Sequence, residues 1–155
     1  MVLTDKTILL VSPEPWGHIY VSKHHYAIHL AKRGNKVFFL NPPKGYFSVL
    51  DSEYPNLRIL DYAGFWRGIR YFPKFLRTIN FRLVYKRLEK YAQKKFDFVW
   101  SFDNSVFFEF KSLPINVIKL SHIVDLNMDY QFESAAKTAS LCLCVSQPIQ
   151  NKFLK

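Results

Sequence analysis

Little in this chain of 155 residues marks it as secreted, metal-bound or membrane-spanning. It has two cysteines, Cys142 and Cys144, in a strand-like run. They are expected on opposite faces and out of pairing reach, so a disulfide framework is excluded and a reducing compartment is the default. No Cys/His spacing resembles a zinc site. His25 and His29 stand at i, i+4, as zinc ligands on a helix do, but the glutamate of H-E-x-x-H and a third ligand are lacking. No metal is expected, and His24, His25 and His29 are read as exposed or capping. Glycine is scarce, with five in the chain. The turn S-P-E-P-W-G-H, residues 12–18, holds one of them, Gly17, and neither G-x-G-x-x-G nor a P-loop lysine pattern, which argues against a dinucleotide there. The opening residues offer only the short apolar run Thr7-Ile-Leu-Leu-Val11, and no later segment approaches the ~20 apolar residues that spanning needs. Neither a signal peptide nor a membrane span is expected, and the expected location is the cytoplasm.

What the chain does have is a core. Apolar residues make up 49% of it and aromatics 17%, enough for one well-packed domain over residues 1–155. Short runs rich in Val, Ile, Leu and Phe read as strands at Thr7–Ser12, Lys36–Asn41, Leu57–Asp61, Phe96–Ser101, Asn116–Leu120 and Leu141–Val145. Helical stretches separate them: Ser22, read as an N-cap, to Arg33; a short piece at Ser105–Phe110; Asp129–Ala139; and a last helix opened by Ser146. Alternating short strands and helices predict an α/β fold, a Rossmann-like doubly wound parallel sheet of about six strands with helices on both faces. Ligands of such sheets bind outside the carboxyl ends of the strands. That directs attention to Pro13–His18, Asn41–Gly45, Phe102–Ser105, Ser121–Asp129 and Ser146.

Charge is as uneven as glycine is scarce. The net charge is +10, and the stretch Phe65–Lys95 carries ten Lys and Arg against one acid, Glu89. Two apolar stripes run through it at helical spacing, Phe72, Phe75, Leu76, Ile79 and then Phe81, Val84, Tyr85, Leu88, Ala92. They are about half a turn out of phase at ~100° per residue, so the stretch is either two helices with Asn80 capping the second or one helix with two apolar faces. Cations beside apolar residues at this spacing favour a helix lying on an anionic membrane surface, with Arg67, Arg70, Lys74, Arg77, Arg82, Lys86, Arg87 and Lys90 as the contacting residues. A solvated or partner-facing helix and a nucleic-acid surface are the other readings, nucleic acid being the least favoured.

Asp103 and Asn104 follow the fourth strand of this reading, and His122 and Asp125 the fifth. Converging at the sheet edge, a His and an Asp could orient a hydroxyl or move a proton. The same residues also serve as ordinary turn and cap chemistry.

Three stretches carry a family resemblance. L-A-K-R-G-N-K-V-F-F-L, Leu30–Leu40, looks like the first helix and second strand of GT-B glycosyltransferases. V-I-K-L-S-H-I-V-D-L, Val117–Leu126, resembles their fifth strand with its His, and A-A-K-T-A-S-L-C-L-C-V-S, Ala135–Ser146, their sixth strand and the serine after it. The nearest pattern is that of the retaining-type group containing bacterial polysaccharide and teichuronic-acid-type enzymes. The resemblance implies an N-terminal, acceptor-binding Rossmann-like domain of a two-domain hexosyl-type transferase. Trp16, Gly17, His18, Asp103, Asn104 and Asp125 would then meet a carbohydrate or lipid-linked acceptor, and His122 would shape the reaction centre. It further implies that the nucleotide-sugar donor, the one cofactor-like group expected, is held by a C-terminal domain outside this chain, and that this half alone is inactive. A basic nucleic-acid-binding module and a non-catalytic α/β interaction module are the alternatives.

Overall fold

Thr7-Ile-Leu-Leu-Val11 reads as a strand covered on both faces, and it forms the central strand β1 (Thr7–Val11), buried from Ile8 onward. The chain returns through α1 (Ser22–Lys32) to β2 (Lys36–Leu40), parallel to β1 with Ile8 opposite Val37 and Val11 opposite Leu40. Next come β3 (Ser48–Asp51) and β4 (Leu57–Asp61). The long helix α2 (Lys74–Ala92) then carries the chain to the other side of β1, where β5 (Phe98–Ser101), β6 (Ile118–Ile123) and β7 (Leu141–Cys144) extend the sheet. The helices α3 (Phe132–Thr138) and α4 (Gln147–Phe153) flank β7 in sequence. This computed structural model describes residues 3–17, 19–103, 107, 109–124 and 132–153.

The strand order is β3-β4-β2-β1-β5-β6-β7. Every pairing is parallel except β3 with β4, so the expected Rossmann-like α/β sheet is present, with a seventh, antiparallel edge strand added. Periodicity does not announce β3: Ser48-Val-Leu-Asp51 is half or fully exposed, as a short edge strand is.

Two apolar layers sandwich the sheet. On one face, Leu9, Val11, Phe38, Leu40, Leu60 and Val99 meet Phe81, Val84, Tyr85 and Leu88 of α2. On the other, Leu10, Val37, Phe39, Leu57 and Phe102 meet Ala27, Ile28 and Ala31 of α1. Each large side chain so buried contributes on the order of 2 kcal/mol.

Of the two readings of the basic stretch, the single helix with two apolar faces holds: α2 carries both stripes from Phe75 on, and Asn80 is buried inside it instead of capping a second helix, its Oδ1 accepting the Trp66 backbone N–H at 3.1 Å. Three expectations need correction. The N-cap of α1 is Val21, with Ser22 already in the helix. Cys142 and Cys144 do not face opposite ways. Residues i and i+2 of a strand share a face, and both thiols, free and half-buried, pack with Ile123 and Ile149. Finally, the strand read as ending at Leu120 continues to Ile123, which puts His122 inside β6 rather than after it.

Candidate functional site

After β1 the chain goes one way, through α1 to β2, and after β4 it crosses to β5 on the opposite side of β1. The carboxyl ends of β1 and β5 therefore flank the switch point where sheets of this order bind ligands. The residues after β1 are held there from several sides. Ser12 Oγ accepts the Glu14 N–H at 3.1 Å and donates to the Glu14 carbonyl at 2.7 Å. The Glu14 carboxylate pairs with Lys23, whose position in the first turn of α1 is buried.

His24 completes this frame. It is fully buried, and its Nδ1 accepts the Val21 N–H at 3.2 Å, in the way a capping-box residue at N3 does. Nε2 must then carry the proton, which it donates to the Pro15 carbonyl at 3.2 Å. Burial lowers its pKa, with the Lys23 charge adding to the effect. The three helix histidines are exposed or capping as expected: His25 and His29 are exposed, and His24 caps while being buried.

Trp16 folds down over the α1 side of the sheet. Its ring lies 5.0 Å from Phe39, 5.1 Å from Tyr20 and 5.4 Å from His24. Tyr20 closes the outer side by donating its hydroxyl to Glu53 at 2.6 Å; burial and that carboxylate push its pKa up to about 12. Gly17, next in the chain, stands in the left-handed region at φ +88, and among the described residues a Cβ placed on it would meet nothing within 4 Å.

A polar relay ties this loop to the next two strand ends. Asn41 Oδ1 accepts the Trp16 N–H at 2.8 Å, while Asn41 Nδ2 donates to Asp61 at 2.7 Å. Asp61 is 1% exposed and also accepts Ser48 Oγ at 3.0 Å and Lys44 Nζ at 2.9 Å. Burial alone would raise its pKa; the hydrogen bonds from Asn41, Lys44 and Ser48 outweigh it and hold the carboxylate below its ordinary value. Asn41 and Lys44 fall in a loop that strand ends single out, but Asp61 and Lys23 escaped the sequence reading.

His122 lies on the α1 side, in an aromatic wall. Its ring is 4.5 Å from Phe102, 5.9 Å from Trp100 and 6.0 Å from Tyr26 of α1. Burial, and then the charge of Lys23, lower its pKa, so the imidazole is neutral at neutral pH. Asp103 follows β5. It is buried, Ser101 Oγ accepts its N–H at 3.2 Å, and its carboxylate raises the pKa of buried Tyr62, on the α2 side, whose own burial is the larger cause. The described ring neighbours of His122 thus lie on the α1 side, and Tyr62, which feels the Asp103 charge, on the α2 side. His18, Asn104 and Asp125 lie outside the described residues, as do residues 105, 106 and 108 of the short piece at 105–110.

Among the described residues no group of three or more His, Cys, Asp or Glu could hold a metal ion. A hollow of about 620 Å³ lies at the other end of the sheet, where Lys36 and Leu57 begin their strands and Gln93 follows α2. The strand-end argument places the chemistry at the opposite edge. No protein-family model matches the chain, and no curated protein matches it.

Proposed function

We propose that this chain is the acceptor-binding half of a glycosyltransferase that acts at the cytoplasmic face in cell-surface polysaccharide synthesis. What supports the reading is one juxtaposition. A Rossmann-ordered sheet brings the Gly17 loop and the aromatic wall of Tyr26, Trp100 and Phe102 around a neutral His122 to its carboxyl edge, both linked to Lys23. Flat aromatic faces suit the apolar face of a sugar ring, and a neutral imidazole can accept a hydrogen bond, or a proton, from a sugar hydroxyl. The absence of a glycine-rich phosphate loop fits an acceptor more readily than a nucleotide. The nucleotide-sugar donor would be held by a second domain, with the acceptor carbohydrate or lipid-linked sugar resting on this one.

The test is ligand-observed NMR on the chain with a panel of oligosaccharides and polyprenyl-linked sugars, set against UDP- and GDP-sugars. The reading expects saccharide binding, weaker nucleotide-sugar binding and no transfer. Efficient turnover of nucleotide sugars by this chain alone, or nucleotide-sugar binding without saccharide binding, overturns it.

A further inference from the structure

Helix α2 is apolar on two sides, and the sheet uses only one. Phe81, Val84, Leu88 and Ala92 are buried, while Phe75, Ile79 and Leu83 are exposed by 63%, 46% and 46%. At ~100° per residue these three share one outward arc of about 100° with Arg82, Lys86 and Lys90, which are also exposed. The ridge runs for roughly 22 Å, from an apolar end at Phe75 to a basic end at Lys90. It presents no acid, because Glu89, the single acid of α2, is buried and paired with Lys95 at 2.7 Å. The Gln93 end of the helix stands over the strand amino ends, so the Phe75 end points toward the carboxyl edge that carries the candidate site.

We infer that this ridge is a docking surface for an anionic lipid bilayer. A solvated helix face would not repeat large apolar residues every fourth position. A single-stranded nucleic acid needs aromatic platforms, and Ile79 and Leu83 have no π-face to offer a base. A protein interface core is depleted in lysine, whereas Lys86 and Lys90 continue this ridge along its own line. A bilayer takes both halves: the aliphatic side chains enter the acyl boundary while the cations meet anionic headgroups. The surface is smaller than the basic sequence suggests. Arg77 is turned inward against buried Glu109, Nε to Oε2 at 3.6 Å, and Arg87 stands over the Phe47 ring at 5.9 Å.

This inference goes beyond the glycosyltransferase reading and does not depend on it, since vesicle binding needs no acceptor and no His122. The experiment is co-sedimentation of the chain with vesicles of phosphatidylcholine alone and of phosphatidylcholine mixed with phosphatidylglycerol. Binding is expected only with the anionic lipid and should weaken as salt rises. Lys86→Gln with Lys90→Gln should weaken it about 30-fold, at ~1 kcal/mol per cation near the surface. Phe75→Ser with Ile79→Ser and Leu83→Ser, all outward and thus compatible with folding, should weaken it at least tenfold. Lys36→Glu, at the amino edge of β2, should change it by less than about twofold. Equal binding to neutral vesicles, binding to neither, full binding by the triple serine variant, or tighter binding to a single-stranded oligonucleotide than to anionic vesicles would each overturn the inference.

Discussion

Asn41 donates a hydrogen bond to the buried carboxylate of Asp61 at 2.7 Å while accepting one from the backbone of Trp16, so a single carboxamide couples the first loop to the end of β4. The carboxylate is the centre of that arrangement, since Ser48 and Lys44 also end on it. Asp61→Asn can keep an acceptor oxygen toward Asn41 Nδ2 and Lys44 Nζ, but it removes the charge that pairs with Lys44 and turns the oxygen that accepts from Ser48 Oγ into a donor. The expected cost is about 2 kcal/mol in urea denaturation, the scale of a lost buried charged hydrogen bond. The pH dependence has a definite sign. The folded pKa of Asp61 is below the ordinary 3.8, so its contribution is complete above about pH 4 and is lost as pH falls through the lower folded value. Asp61→Asn should flatten the acid limb of the stability curve in that window, and an unchanged limb would show that other carboxylates control it.

His24 invites a substitution pair. His24→Ala removes a buried ring and the cap on the Val21 N–H, at an expected cost of about 2 kcal/mol. His24→Gln keeps a side-chain acceptor at the N3 position and should recover the capping part, about 1 kcal/mol, in thermal melts. Its folded pKa lies below the ordinary 6.5, so the neutral ring stabilises the fold fully above that value and stability declines as pH drops below it. The decline should be shallower in His24→Gln, since glutamine has no proton to gain. Two variants of equal stability would mean that packing, not the cap, is what His24 supplies.

How much of this was legible beforehand follows from where the partners lie in the chain. β1, β2 and β5 announce themselves because both faces of a central strand are covered, and a run such as Val37-Phe-Phe-Leu40 needs no partner to be recognised. β3 does not, because Ser48-Val-Leu-Asp51 is half polar and gains its structure from pairing with β4. His24 was hidden by its neighbours. In Lys23-His-His-Tyr26 the buried stripe begins with two polar residues, and polarity there reads as exposure. Asp61 closes an apolar strand, and nothing local says that Asn41, twenty residues earlier, will reach it. The two stripes of α2 were legible as stripes. Which one the sheet would cover was not, because both repeat at helical spacing, and only the strand order puts Phe81 and Leu88 inward.

Two glycines with similar backbones should respond differently to alanine. Gly17 at φ +88 has no described residue within 4 Å of where a Cβ would go, so Gly17→Ala is expected to cost only backbone strain, roughly 1 kcal/mol. Gly64 has φ +86, and its Cβ would also come 2.9 Å from the Cβ of Pro43, inside any normal contact. Gly64→Ala adds that clash and should cost about 2 kcal/mol or more. Paired urea melts check the order. If Gly17→Ala proves the worse, the first loop is closed more tightly than its described surroundings indicate.

His122 separates the functional reading from a purely structural one. Its ring packs against Phe102 and Trp100, so His122→Phe fills the same space with the same kind of contact and should shift stability by less than about 1 kcal/mol. The imidazole nitrogens are lost, however, and with them a hydrogen bond to a sugar hydroxyl worth about tenfold in affinity. Saccharide binding, followed by tryptophan fluorescence from Trp100, should therefore fall about tenfold while the melting curve barely moves. In the unsubstituted chain the folded pKa lies below 6.5, so that binding should stay flat above this value and weaken only under more acid conditions, as the ring takes up a proton and ceases to accept. A variant that binds saccharides as the parent does, with the same pH profile, would reduce His122 to one more member of the aromatic wall and remove the chemical reason for placing an acceptor there.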